Sequence, residues 1–113
     1  MKMGRGEEHI PDIDLGEDHY LRFTRWSPDR HLNPQYDGIP DCEKVGAIVW
    51  HRLPSGEMCE GFIHFDQEPW NQIFKSDDKW KVECWEPLTL SPSLLCQACG
   101  DHGFIRQGRW VRA

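Results

Sequence analysis

The sequence predicts a mostly β protein: one small antiparallel β domain of about five or six short strands, with at most one short helix. Apolar and polar residues alternate along several short segments, and turns rich in proline, glycine, aspartate and asparagine separate these segments. The chain of 113 residues has the length of a single domain. Only 38% of its residues are hydrophobic, but six tryptophans and five phenylalanines are among them, so we expect a core built on aromatic side chains.

The chain begins with an acidic segment that has little apolar periodicity. Residues 1–18 mix carboxylates with glycine and proline, which predicts a flexible acidic arm, followed by a single domain over residues 19–113. The alternating phrase HYLRFTRW, residues 19–26, predicts the first strand. The segment after it, residues 27–41, is rich in proline and aspartate and predicts an irregular loop.

The clearest supersecondary signal is a β-hairpin over residues 44–66. Two β-rich runs flank the turn LPSG, in which Pro54 fixes φ and Gly56 permits a positive φ. Because side chains alternate along a strand, the second run presents two different faces. One face carries Cys59, Gly61, Ile63 and Phe65, and the other carries Glu60, Phe62 and His64.

Three shorter segments complete the predicted domain. DQEPWNQIF predicts one or two helical turns near residues 67–75, and KWKVECWEPLTL predicts a strand that breaks at Pro87. GFIRQGRWV predicts a short hairpin around Gln107 and Gly108. The expected core aromatics are Trp50, Phe62, Trp80, Trp85 and Phe104.

A cluster of potential metal ligands lies in the phrase CQACGDH, residues 96–102. A Cys-x-x-Cys turn can present two thiolates to one zinc ion, and the following Gly100 permits the left-handed backbone that such a knuckle needs. Cys96, Cys99 and His102 therefore predict a zinc site, and this interpretation is favoured over reduced thiols packed as small apolar groups. The C-terminal half is accordingly predicted to resemble a zinc ribbon and to be stabilised by the metal.

The fourth ligand is open at this point. Cys59, near the far end of the hairpin, is the first choice, while Cys84 and His64 are alternatives. Cys84 shares a strand face with Trp80 and Val82, so its expected role is a thiol packed in the core. His64 has the opposite strand parity from Cys59, so it is expected to be an ordinary strand residue. The remaining histidines are not expected to be ligands: His51 is predicted to be partly exposed, and solvated positions are predicted for His9, His19 and His31.

The C-terminal pattern resembles a family of small bacterial and phage proteins catalogued as a domain of unknown function (family 6527). The shared features are a tryptophan, a Leu-Thr-Leu-x-Pro-Ser phrase, a Cys-Gly-x-His phrase, and apolar residues before a glycine turn. In this chain they are Trp80, residues 88–93, residues 99–102, Phe104, Ile105 and Gly108. The phage-encoded members are the most similar, and for them the resemblance extends upstream through FTRWSPDRHLNPQYDGIPD and EMCEGFIHFD.

The resemblance implies a zinc-ribbon-like site in which Cys99 and His102 pair with cysteine from the hairpin. Some members lie near bacterial genes for ubiquitin-like conjugation, and the family has no agreed activity. Broader members are richer in cysteine in the upstream arm, where this chain has Cys59 alone. Whether Cys96 completes the set, or the site is three-coordinate with an open position, therefore stays open.

Three classes of function remain. The favoured one is a zinc-stabilised binding or adaptor protein, phage-encoded, that acts on a host or virion protein. The second is a zinc hydrolase with an open metal position and Glu60 or Asp101 as general base, but zinc deaminase and His-Glu-x-x-His motifs are absent. The third is weak nucleic-acid binding through the C-terminus, by Arg106, Arg109, Trp110 and Arg112.

Charge and hydropathy narrow these classes. The net charge of −6 would repel phosphate, which makes nucleic acid a poor partner for the whole molecule. The N-terminus has no apolar run after Lys2 and Arg5, so no secretory signal and no membrane span are expected. The five cysteines are then expected to be thiols or metal ligands in the cytoplasm, which is the host cytoplasm for a phage-encoded protein.

Overall fold

The structure is a computed structural model that describes residues 10–113; the first nine residues of the predicted arm, with His9, lie outside the described residues. The described part confirms the predicted class, since it is mostly antiparallel β with one short α-helix. Its strands are β1 (Ile13–Gly16), β2 (His19–Trp26), β3 (Cys42–Arg52), β4 (Met58–His64), β5 (Lys81–Trp85), β6 (Leu88–Ser91), β7 (Leu94–Leu95), β8 (His102–Arg106) and β9 (Arg109–Arg112). The helix α1 is Trp70–Ile73, and a 3₁₀ turn covers Pro34–Tyr36 in the predicted irregular loop.

The largest sheet contains the first four strands in the order β1-β2-β3-β4, all antiparallel. The predicted hairpin is its β3–β4 pair. The turn closes through the Leu53 N–H, which donates to the Glu57 carbonyl at 2.8 Å, and Gly56 adopts a φ of +94°. Glycine suits this position because a side chain would strain that backbone. This closure fixes the register of the two strands back to Arg52 and Met58, which pair directly.

The C-terminal part forms two smaller sheets. One is the β5–β6 pair, and the other has the order β7-β8-β9. The predicted hairpin at Gln107 and Gly108 is the β8–β9 turn, where both residues have positive φ, +51° and +74°. Two consecutive positive φ values are typical of the type I′ turn, whose twist matches that of antiparallel strands.

The core lies between the large sheet and the smaller sheets. Leu21, Ala47, Ile63 and Phe65 project from one face of the large sheet. They pack in one cluster with residues from β6, β7, β8 and β9, namely Leu88, Leu90, Leu94, Ile105 and Trp110. A second, smaller cluster joins Trp70 of the helix to Cys42 and Val45 of β3. Ile63 and Phe65, which were predicted to share one face of the strand, therefore both lie on the face that packs into the main core.

Three expectations need correction. Trp50 is buried as predicted, but Phe62 is 61% exposed, because it lies on the face of β4 opposite Ile63. Trp85 is 39% exposed at the end of β5. The described part contains nine strands, more than the predicted five or six. Several of them are short; β7, for example, has only two residues, which pair with β8. Within the predicted arm, residues 13–16 form β1, and Leu15 of this strand is buried in the main core.

Candidate metal centre

A row of ligand-type side chains crosses three strands at one end of the large sheet. His19 at the start of β2 pairs with His51 near the end of β3, and His51 pairs with Cys59 near the start of β4. Directly opposed residues in antiparallel strands present their side chains on the same face. The register of the sheet therefore places two imidazoles and one thiol side by side. Both histidines are buried, at 5% and 8% exposure.

The Cys-x-x-Cys turn joins β7 to β8 and packs against this row. The Gly100 N–H donates to the Cys96 carbonyl at 2.7 Å, and the Cys96 N–H donates to the Asp101 carbonyl at 2.8 Å. Gly100 adopts a φ of +84°, as the sequence predicted for a metal knuckle. The tight turn directs Cys96 and Cys99 toward the end of the hairpin that carries Cys59.

Four side chains meet where the knuckle contacts the sheet. The ligand atoms of His51, Cys59, Cys96 and Cys99 all lie within 4.8 Å of one another, and His51 Nε2 is 3.2 Å from Cys99 Sγ. In a tetrahedral zinc site neighbouring sulfur and nitrogen ligands are about 3.5–3.8 Å apart, given Zn–S near 2.3 Å and Zn–N near 2.1 Å. The group thus has the donor types of a metal site. Its atoms lie close enough together for one ion to bind them after a small adjustment, since the 3.2 Å between His51 Nε2 and Cys99 Sγ is shorter than the distance between two bound ligands.

The thiols of this group differ in acidity. Burial, together with the neighbouring Cys96 and Cys99, raises the pKa of the Cys59 thiol to about 12. Burial also disfavours the Cys96 thiolate, but hydrogen bonds outweigh it. They come from the backbone amides of Cys99 and Ala98 and from the thiols of Cys99 and Cys59, and they hold the pKa of Cys96 below its ordinary value. A metal that binds all three sulfurs as thiolates therefore has to displace protons, above all from Cys59.

The environment of His51 favours the neutral imidazole, which is the form that binds a metal. Burial lowers its pKa below the ordinary value, the Asp101 carboxylate raises it, and His19 lowers it further, with a net downward shift. Only the neutral imidazole has a lone pair available for a metal. Since Nε2 is the ring nitrogen that faces Cys99 Sγ, it is the atom that would join the three sulfurs.

Three of the four predicted ligands belong to this group, and His102 does not. His102 is exposed, and its Nε2 lies 2.8 Å from Ser93 Oγ. The reason is the alternation of β8: Gly103 and Ile105 face the core, so His102 faces outward. Neither alternative ligand is in the group. Cys84 is exposed on β5, so the prediction of a core thiol was wrong, and His64 stacks on Phe74 with ring centroids 4.0 Å apart.

The group's fourth member, His51, was missed from the sequence, where it was expected to be partly exposed. The prediction of a solvated His19 was also wrong, whereas His31 is exposed as predicted. The missed signal was the register of the hairpin. Closing the turn between Leu53 and Glu57 pairs His51 with Cys59.

A second group of potential ligands adjoins the first and shares His51 with it. It consists of His19, His51 and Asp101, whose ligand atoms also lie within 4.8 Å of one another. His19 Nδ1 is 2.7 Å from the Glu17 carbonyl oxygen. This oxygen can only accept a hydrogen bond, so Nδ1 is the donor. His19 Nε2 is 2.5 Å from Asp101 Oδ2, and this oxygen is 4.0 Å from His51 Nε2.

The two carboxylates considered as general bases, Asp101 and Glu60, lie in different surroundings. Asp101 forms a hydrogen bond with the His19 ring. Glu60 follows Cys59 in β4 and pairs with Trp50 across the sheet, so its side chain lies on the face away from the thiol row. Neither carboxylate belongs to the Cys3His group.

The candidate nucleic-acid residues do not form a stacking surface. The side chains of three of them are exposed on the β8–β9 hairpin: Arg106, Arg109 and Arg112. Trp110, however, is only 6% exposed and stacks on His19 with ring centroids 4.1 Å apart. Its ring is thus not available to a base. Arg112 is partly neutralised by Glu17, whose Oε1 lies 3.5 Å from its Nη2.

An apolar groove of about 250 Å³ runs beside the thiols. Cys59 and Cys96 line it at one side, and Trp80 and Leu94 contribute to its walls. Two further lining residues are strongly exposed, Phe62 at 61% and Leu95 at 56%. The metal centre therefore adjoins an apolar part of the surface.

Comparison of the chain with protein-family models, curated proteins and solved structures finds no match. Among residues 10–113, no helix has the length and apolar character needed to cross a membrane.

Proposed function

We propose that this protein is a small binding module that zinc stabilises and that acts through a protein partner. The observation that carries the proposal is the Cys3His group, which joins the end of the large sheet to the knuckle between β7 and β8. Two of its members come from each part: His51 and Cys59 from the sheet, Cys96 and Cys99 from the knuckle. A metal bound by all four residues fastens the two parts together.

The donor set favours zinc. Thiolates and a neutral imidazole are the ligands of structural zinc sites, whereas calcium and magnesium prefer oxygen ligands. A Cys3His set also fills the four positions of a tetrahedral ion, which leaves no position for a water that could attack a substrate. Structural zinc is moreover common in small domains, where the core alone supplies little stability.

The surface beside the metal centre supports a role in binding. Phe62 and Leu95 expose apolar area on the groove that Cys59 and Cys96 line. Exposed apolar residues grouped around a groove are typical of a protein interaction site. The resemblance of the C-terminal pattern to small phage proteins supports a host or virion protein as the partner, met in the cytoplasm of the host.

Metal analysis of the purified protein tests the proposal. The wild type is expected to contain one zinc per chain, and substitution of His51, Cys59, Cys96 or Cys99 by alanine is expected to abolish stoichiometric binding. His102→Ala is the matched control, because His102 lies close in sequence but outside the group. A wild-type protein without bound metal, or a His51→Ala protein that retains a full equivalent, would contradict the proposed site.

A capture experiment tests the binding role separately. Zinc-loaded wild type is expected to retain a specific protein from a host lysate, and Phe62→Ser combined with Leu95→Ser is expected to lose it without losing zinc. Equal retention by both proteins would remove the groove from the binding surface.

A further inference from the structure

The His19 ring is held on both faces and at both nitrogens. One face stacks on His51 with centroids 5.0 Å apart and 16° between the planes, and the other stacks on Trp110 at 4.1 Å and 11°. Its nitrogens meet the Glu17 carbonyl at 2.7 Å and Asp101 Oδ2 at 2.5 Å. This single buried side chain therefore contacts the strand that carries His51, the C-terminal strand β9, and the loop that follows Cys99.

The distances identify the His19–Asp101 contact as a hydrogen bond. Two nitrogen or oxygen ligands of one tetrahedral metal ion are separated by about 3.3 Å, because each lies near 2.0–2.1 Å from the metal. Only 2.5 Å separates His19 Nε2 from Asp101 Oδ2. In addition, His51 Nε2 faces both Cys99 and Asp101, and a single lone pair binds only one metal ion. The second group is thus better explained as a support for the first than as a second site.

We propose that His19 and Asp101 are positioning residues of the zinc centre; the inference rests on the proposed zinc site. His19 fixes the plane of the His51 imidazole by stacking on it. Asp101 lies two residues after Cys99, so its bond to His19 holds the end of the knuckle against β2. Together they keep the His51 nitrogen and the Cys99 sulfur adjacent, so that one metal ion can bind both after a small adjustment.

Loss of such support weakens a metal site without removing a ligand. Substitution of a residue that orients a ligand typically lowers metal affinity by about 10- to 100-fold. We therefore expect Asp101→Leu to bind one zinc per chain with an affinity lower by about this factor. Asp101→Asn is the conservative variant, because its side-chain amide has both an acceptor oxygen and a donor N–H and can therefore form a hydrogen bond with His19 Nε2 whether or not that nitrogen carries a proton, so most of the affinity should be restored. His19→Leu should resemble Asp101→Leu.

The experiment measures zinc affinity by competition with a chromogenic chelator, and ligand geometry by the visible absorption of Co²⁺ in place of zinc. Val82→Ala is the control, because Val82 packs against the main core and is absent from both ligand groups, so a merely destabilised protein should keep the wild-type Co²⁺ spectrum. Asp101→Leu should weaken binding and change the spectrum, and Asp101→Asn should largely restore both. Asp101 is partly exposed in a loop, which makes its variants suitable even where His19→Leu fails to fold.

Two results would overturn the inference. Wild-type affinity and spectrum in Asp101→Leu would show that the pair does not position the ligands. Loss of stoichiometric zinc from both Asp101→Leu and Asp101→Asn, with the core control intact, would instead make Asp101 a ligand. Failure of the proposed zinc site is distinguishable from either result, because the wild type itself would then bind no metal.

Discussion

The five cysteines occupy three kinds of environment, which gives them different reactivities. Cys84 is exposed on β5, and Cys42 is buried in the second core cluster. The three others meet in the Cys3His group. Because a thiolate bound to zinc is protected from modification, we expect one fast-reacting thiol per chain in the zinc-bound protein and three more after chelation. Titration with a chromogenic disulfide reagent measures these numbers.

A Cys84→Ser variant provides the control for this titration. It should lose the fast thiol of the zinc-bound protein and still gain three thiols when a chelator is added. Four fast thiols before chelation would be incompatible with three sulfurs held by a metal.

His64 gives stability a dependence on pH. Burial, and secondarily the charge of Lys79, lower its pKa below the ordinary value near 6.5, while Asp78 raises it. Its ring stacks on Phe74, with ring centroids 4.0 Å apart, and also lies near Trp70, with centroids 6.0 Å apart. A group whose pKa is lower in the folded protein binds protons more readily when unfolded. Its contribution to stability is therefore full above pH 6.5 and is lost as the pH falls through the folded-state pKa.

We accordingly expect the free energy of unfolding to decrease between pH 7.5 and pH 5.5, and to decrease less in His64→Phe. Phenylalanine preserves the stacking on Phe74 but cannot take up a proton. Urea denaturation of both proteins, saturated with zinc at each pH, measures the difference, and the effect of pH on the metal ligands is common to both. An identical decrease in the two proteins would show that His64 does not contribute.

At the scale of strands, the packing of the C-terminal sheet requires a glycine at position 103, because the Trp110 ring lies directly against it. A Cβ added at Gly103 of β8 would lie 2.5 Å from Trp110 Cζ2, which is too close for a carbon–carbon contact. Trp110 has little room to move, because its other neighbour is the buried His19 ring. We expect Gly103→Ala to lower the free energy of unfolding by about 1–3 kcal/mol, the usual cost of overpacking.

The matched control for this substitution is Gly61→Ala in β4. A Cβ at Gly61 meets no atom within 4 Å, and alanine loses less backbone entropy on folding than glycine. Gly61→Ala should therefore be neutral or slightly stabilising in the same denaturation assay. Equal destabilisation by both substitutions would indicate a general loss of strand geometry instead of a collision with Trp110.

The strands that could be predicted are those with local signals. The hairpin β3–β4 has alternation on both sides of a Pro-Ser-Gly turn, and the β8–β9 turn has Gln107 and Gly108; both are confirmed. The knuckle could be read from its spacing, and its backbone has the predicted form. His51 could not be identified from local pattern, since its role follows from a pairing across the sheet. His102 satisfied the spacing of a ligand, but strand alternation turns it outward.

At the scale of the whole molecule, two layers share one modest core. The large sheet contributes one face, and the smaller sheets contribute the residues that cover it. The connection between the layers at the turn end of the β3–β4 hairpin is the Cys3His group. Metal bound there closes a long loop of the chain and thereby disfavours the unfolded state, in the manner of a cross-link.

The metal that joins the two layers should also raise the melting temperature of the protein. Apparent zinc-binding energies in small zinc domains are about 10–16 kcal/mol, as large as the total stability of many small domains, about 5–15 kcal/mol. Even a loss of about 2 kcal/mol should lower the melting temperature by roughly 8 °C in a domain of this size. Excess chelator is therefore expected to lower the melting temperature of the wild type by at least this amount, as measured by the loss of β circular dichroism.

Two variants distinguish loss of the metal from other effects of the chelator. Cys59→Ala removes one of the two ligands on the sheet, so it should melt at the temperature of the chelated wild type and should not respond to chelator. Cys84→Ser removes a thiol outside the group, so it should melt like the wild type and keep the full response. A wild-type melting temperature unaffected by chelator would mean that the two layers hold together without a metal, because the core alone would then supply the stability assigned here to the Cys3His connection.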